Sequence, residues 1–173
     1  MQPNGRSRTF SWSDPLATAA RLGELSGLEG IQAVAAGELP PPPIAELLGM
    51  TIALVEPGRV VFALEPAEWM YNPIGSVHGG VAATMLDSAL GCAIHTTLAA
   101  GVGYATSDLQ VRYVRALSAG SGRILADAHV VHAGRRLATA EGKLYAEQDG
   151  KLFAHGTTSC IILGDGAAAA AGA

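Results

Sequence analysis

Apolar and polar residues alternate through the C-terminal part of this chain in four successive runs, residues 106–115, 122–132, 136–147 and 151–163. That period of two predicts half-buried strands, and Asp149-Gly150 supplies a hairpin turn between the last two. Two earlier runs, 51–55 and 60–64, read as strands joined at Pro57-Gly58. Residues 78–98 break the alternation. They are apolar nearly all round, which predicts one long helix buried nearly all round. Its small residues, Ala82, Ala83, Ala89, Gly91 and Ala93, let neighbouring backbone approach closely. Near the N-terminus, Ser13-Asp14-Pro15 is a helix start, with a capping side chain before a first-turn proline, and that helix is expected to run to about Ser26. Ser26 and Glu29 have capping-box spacing, predicting a second short helix to Ala36 closed by Gly37. The prolines from 40 to 43 read as a rigid linker, and residues 44–48 as one helical turn ending at Gly49. Residues 1–12 and the Ala/Gly tail 164–173 read as disordered.

These elements predict an α+β protein: an antiparallel sheet of about six strands wrapped around one long central helix, with short N-terminal helices. The expected organisation is an N-terminal extension (1–43), one domain (44–163) and a tail (164–173), with no internal repeat.

Composition narrows the function. The chain has 173 residues, 49% hydrophobic and 15% charged, which suits one globular core. A net charge of −4 argues against nucleic acid. Residues 1–107 hold four arginines and nine acids, and residues 108–173 hold seven Lys/Arg and six acids, so an anionic ligand is better met by the C-terminal part. Cys92 and Cys160 form neither a disulfide framework nor a zinc pattern and read as buried thiols. The first residues lack a signal peptide's apolar core. Residues 88–107 are uncharged but contain Ser88, His95, Thr96 and Thr97, so they read as buried helix and loop and not as a membrane span. A soluble, cytoplasmic protein is expected.

The candidate chemistry lies in residues 72–87. A polar loop holding Asn72, Gly75, Ser76, His78, Gly79 and Gly80 runs into the long helix, and Asp87 is the one permanently charged residue between Trp69 and Ser107. An acid among apolar neighbours is costly to bury unless it is paired or performs chemistry. The structural alternative is a hydrogen bond to Thr84, Ser88 or a loop amide. At Gly79-Gly80, free N–H groups and the positive end of the helix dipole meet, and such a terminus can hold an anion or a developing oxyanion, or simply make a tight turn. Asp87 lies eight residues beyond Gly79, about 12 Å along the axis. The two groups can act on one bond only if Asp87 comes from a second subunit. No Gly-x-Ser-x-Gly elbow, metal motif or dinucleotide fingerprint is present. His129 and His132, three apart in one strand, are expected on opposite faces. His95 and His155 read as ordinary core or surface histidines.

The run Asn72-x5-His78-Gly79-Gly80-x6-Asp87 resembles the signature of hotdog-fold acyl-CoA thioesterases of the PaaI type. Residues 106–115 resemble the strand that follows that family's central helix, and residues 134–141 resemble its next hairpin. The resemblance spans roughly residues 44–163. It implies a hotdog fold and hydrolysis of an acyl-CoA, with an aryl or short to medium acyl group, without metal or cofactor. Asp87 would be general base or nucleophile, and Gly79 would bind the carbonyl oxygen beside Gly80. Asn72 would orient water or thioester, His78 would fix the loop or polarise the carbonyl, and Thr106 would position water. Tyr113, on one face with Leu109 and Val111, is a candidate for the acyl pocket. Arg115, Arg135 and Arg136 are candidates for coenzyme A phosphates. Homodimers with interface active sites, pairing into a homotetramer, are expected. The alternatives are a non-catalytic acyl-CoA sensor on the same fold and a hotdog dehydratase or hydratase. The sensor has no need of a buried acid, and the dehydratase pairs His and acid at other spacings.

Overall fold

The structure, a computed structural model, describes residues 5–164. The expected tail lies outside the described residues, apart from Gly164. Three short helices come first: α1 (Pro15–Gly23), α2 (Gly27–Ala35) and α3 (Pro43–Leu48). The Asp14 carboxylate accepts from the Leu16 N–H, and Ser26 and Glu29 form the reciprocal capping box. Pro43 does not end the linker but opens α3, where a missing N–H costs nothing. Gly49 closes α3 at φ 72°, a left-handed conformation that favours glycine.

Strands β1 (Thr51–Glu56) and β2 (Arg59–Leu64) precede the central helix α4 (Gly79–His95). Strands β3 (Gly103–Tyr113), β4 (Ile124–Ala133), β5 (Leu137–Ala146) and β6 (Leu152–Leu163) follow it. All pairings are antiparallel, in the order β1-β2-β4-β5-β6-β3, so β1 and β3 form the edges. The hotdog architecture expected from the sequence is thus present. Helix α4 lies in the concave face of the sheet: Met85, Leu86, Ala89, Leu90, Ala93 and Ile94 have no exposed surface. Against them β4 sets Ile124, Ala126 and Ala128, and β5 sets Ala138, Ala140 and Leu144. The four alanines among these partners allow the sheet to close on the helix.

Three local features depart from the expected pattern. Helix α4 stops at His95, not at residue 98, because threonine hydroxyls take over its last carbonyls. Thr96 Oγ1 donates to Ala93 O (2.6 Å) and accepts from the Gly58 N–H (2.8 Å), while Thr97 Oγ1 donates to Ile94 O (2.7 Å). Strand β3 starts three residues earlier than expected, with Gly103 opposite Leu163, and ends where the Val114 and Arg115 N–H groups both turn to Phe153 O. Lastly, a bulge at Val131 places His129 opposite Glu141 and His132 opposite Thr139. Those partners are two residues apart on β5, so the two histidines share the solvent face and not opposite faces. One extra residue resets the period of two.

Helix α2 is seated against the end of α4 at Gly27, whose N–H donates to Leu98 O at 3.0 Å. A Cβ at Gly27 would lie 1.7 Å from His95 O, which is backbone and cannot swing away. Gly27→Ala is therefore expected to lift α2 from α4 and cost about 1–3 kcal/mol, the usual range for overpacking. Thermal unfolding checks it, and an unchanged melting temperature would show that α2 is not held at this seam.

Candidate active site

The loop before α4 is built by Asn72. Its Oδ1 accepts from the Ile74 and Ser76 N–H groups (3.1 and 3.2 Å), and its Nδ2 donates to Ser76 Oγ (3.0 Å). The Asn72 backbone N–H also donates to Ser76 O at 2.8 Å. Asn72 thereby staples the turn, with one Nδ2 hydrogen left over. His78 is the N-cap of α4: Nδ1 accepts from the Gly80 N–H at 2.9 Å, which leaves the neutral ring's proton on Nε2. The Val81 N–H bonds His78 O. Of the first three N–H groups of the helix, that of Gly79 alone has no partner among the described residues. Gly80 offers a ligand close approach, while its N–H is committed to the cap. The Tyr113 hydroxyl donates to Gly79 O at 3.0 Å.

These groups surround a cavity of about 320 Å³ at the start of α4, lined by Asn72, His78, Gly79, Tyr113, Arg115 and Phe153. Tyr113 therefore belongs to the helix start, away from Asp87. The Arg115 guanidinium donates to Leu152 O at 2.7 Å. Arg135 and Arg136 lie apart, around a depression they share with Ile161 and Ile162.

Asp87 is half-buried on the side of α4 that faces β3. The Thr106 hydroxyl donates to Asp87 Oδ1 at 3.1 Å. None of the partners foreseen for a purely structural acid is used. Thr84 Oγ1, for instance, donates to Gly80 O instead (2.9 Å). A bulge at Ser107 sits directly beside this contact, as bulges often do where a strand aims a side chain. Asp87 and Thr106 open onto a second cavity, of about 510 Å³, between α4 and the N-terminal helices. Enclosure there pushes the Cys92 thiol up to about 12, the Asp87 charge adding to the effect, and drives the Tyr104 phenol well above its ordinary value. Burial lowers His95, whose ring packs at 5.4 Å on that of Tyr104.

Within one protomer, then, the candidate residues fall into two groups: an anion-accepting helix start, and a carboxylate held by a threonine two turns on. The wall that α1 and α2 contribute to the second cavity was not foreseen. Its only sequence signal is the apolar set Leu22, Ile31 and Val34 on helices too short to form a core of their own. Among the described residues, no cluster of three or more His, Cys, Asp or Glu could hold a metal ion.

Known proteins resemble this chain in sequence and in fold. The family described as Thioesterase superfamily matches residues 74–153. Acyl-coenzyme A thioesterase 13 of Homo sapiens is 31% identical over 107 residues, 62% of this chain and 75% of that protein. The crystal structure of a phenylacetic acid degradation-related protein from Ralstonia eutropha superposes with TM-score 0.68 at 30% identity, covering 76% of this chain and 98% of that one. The PaaI protein of E. coli superposes with TM-score 0.69, covering 82% of this chain and 98% of that one. At 24% identity its likeness speaks to the fold.

Proposed function

The chain belongs to the thioesterase superfamily and is a thioester hydrolase; from that premise we propose that it cleaves an acyl-coenzyme A to free acid and coenzyme A. One observation carries the reading: an unspent N–H at a helix start and a threonine-held carboxylate occur on the same helix, eight residues apart. That separation, about 12 Å, is too long for both to meet one bond from a single chain. Edge strand β3, paired on one side only, supports assembly through its free edge. A second copy there would bring its own carboxylate to the first copy's Gly79. Each dimer then has two sites, and dimers pair into a tetramer.

In each site the thioester oxygen rests on the Gly79 N–H, with the α4 dipole behind it. Asp87 of the partner subunit takes a proton from a water that attacks the carbonyl carbon, or attacks that carbon itself. In both courses negative charge develops on the oxygen, the C–S bond breaks and coenzyme A leaves as thiolate, which takes up the proton that water gives. In the direct course the acyl group first stays on Asp87 as an anhydride, which a water then cleaves to the free acid, restoring the carboxylate. Thr106 fixes the carboxylate and, through its oxygen, can hold the water. His78 and Asn72 keep the loop in the shape that aims Gly79. Arg115, Arg135 and Arg136 supply the positive charge that phosphate groups of coenzyme A require. The chemistry asks for no metal or cofactor. The catalytic unit is residues 44–163, with 1–43 as extension and 164–173 as tail. Free thiols at Cys92 and Cys160 support a cytoplasmic enzyme.

Thiol release from a panel of short, long and aromatic acyl-CoAs tests the activity. Release is expected from at least one class, and release from none would favour a binding protein. Activity per chain should fall on serial dilution as dimers dissociate. A species that sediments as a monomer with full activity would exclude the shared site.

A further inference from the structure

The cavity of about 510 Å³ is the part of the site for which the chemistry above has no use. One wall is α4, from Asp87 through Ser88 and Cys92 to His95, a span of about 12 Å along the axis. The facing wall comes from the extension: Leu22 on α1, and Ile31 and Val34 on α2. Asp87 and Thr106 stand at one end, and at the other the first turn of α2 rests on the His95 backbone. No lysine or arginine lines the cavity. Besides Asp87, the titratable groups that line it are Cys92, His95 and Tyr104, and burial favours the neutral form of each, so Asp87 is its one charge.

Resting on the hydrolase reading, we propose that this cavity receives the acyl group of the substrate, that this group is uncharged and apolar, and that Leu22 and Val34 of the N-terminal extension limit its length. A carbonyl carbon within reach of Asp87 points its tail along α4, because that is the direction in which the cavity extends. Its size suits a small-molecule group, and its apolar walls favour hydrocarbon. A terminal carboxylate would lose its water with no cation to replace it, in a space already holding one negative charge. Leu22 and Val34 are half-buried on cavity walls, so a larger side chain there occupies the cavity before it disturbs the core.

The test compares octanoyl-, octanedioyl- and acetyl-CoA on the full chain and on the variants Val34→Trp and Leu22→Trp. Wild-type kcat/KM is expected to favour octanoyl over octanedioyl by about tenfold or more, as pockets that exclude a charged group do. Either tryptophan should lower kcat/KM for octanoyl by about tenfold or more while acetyl stays within about twofold. If both variants melt like the wild type and keep its octanoyl-to-acetyl ratio, the acyl group does not lie here, although the hydrolase reading stands. Equal wild-type rates on octanoyl and octanedioyl would likewise overturn the inference. No thiol release from any of the three would remove the hydrolase reading and this inference with it.

Discussion

Asp87→Asn should reduce kcat by about 10²–10⁴-fold, the usual worth of a positioned general base, with little change in KM. Asparagine keeps the shape of the side chain and an oxygen that still accepts from the Thr106 hydroxyl, whose contact at 3.1 Å holds the native carboxylate. What it loses is the ability to take a proton or to attack carbon. The variant should therefore fold and bind acyl-CoA while hardly turning it over. A protein that only senses acyl-CoA would be indifferent to the change. Steady-state thiol release alongside equilibrium binding of acyl-CoA separates the two, and near-normal kcat in this variant would remove the acid from the chemistry.

The second large effect is expected from Gly79→Pro, about 10²–10³-fold in kcat, as for removal of one oxyanion donor. The substitution is well matched to its place. Residue 79 is the first of the helix, where proline is tolerated, and His78 sits at φ −59°, ψ 134°, the extended region that a residue before proline prefers. The helix and its cap should survive while the one unspent N–H is gone. Gly79→Ala is the control. It keeps the N–H and adds the same Cβ, which would meet the Tyr113 phenol at 3.3 Å and need only a slight adjustment. A proline variant no slower than the alanine variant would mean that the carbonyl oxygen is held elsewhere. In the proposed shared site the two lesions would fall on opposite halves, so mixing the inactive proline and asparagine variants should restore activity. Half of the dimers would carry one intact site, giving about a quarter of the wild-type rate after subunit exchange.

Much of this arrangement was legible before any coordinates. The long helix announced itself by unbroken hydrophobicity after Gly79-Gly80, and the first two helices by Asp14 and Ser26, whose side chains do what short polar caps do. The separation of Gly79 from Asp87 follows from helical rise alone. What stayed hidden depends on single residues or on contacts distant in sequence. The bulge at Val131 reverses the phase of a strand without any compositional mark, and so brings His129 and His132 to one face. The end of α4 turned on Thr96 and Thr97 choosing helix carbonyls over water. His78 could be read as chemistry or as scaffold from its position, and only its bond to the Gly80 N–H identifies the cap. Nothing in the sequence of α2 says that Gly27 must lie against His95, because that demand comes from a backbone oxygen 68 residues further on.

That seam at Gly27 divides labour along the polypeptide. Asp87 and Thr106 belong to α4 and β3, whereas one side of the chamber beside them is furnished by residues that precede the first strand. If that chamber takes the acyl group as proposed, mutation in those early helices would retune which molecule is admitted while leaving Gly79, Asp87 and Thr106 unchanged.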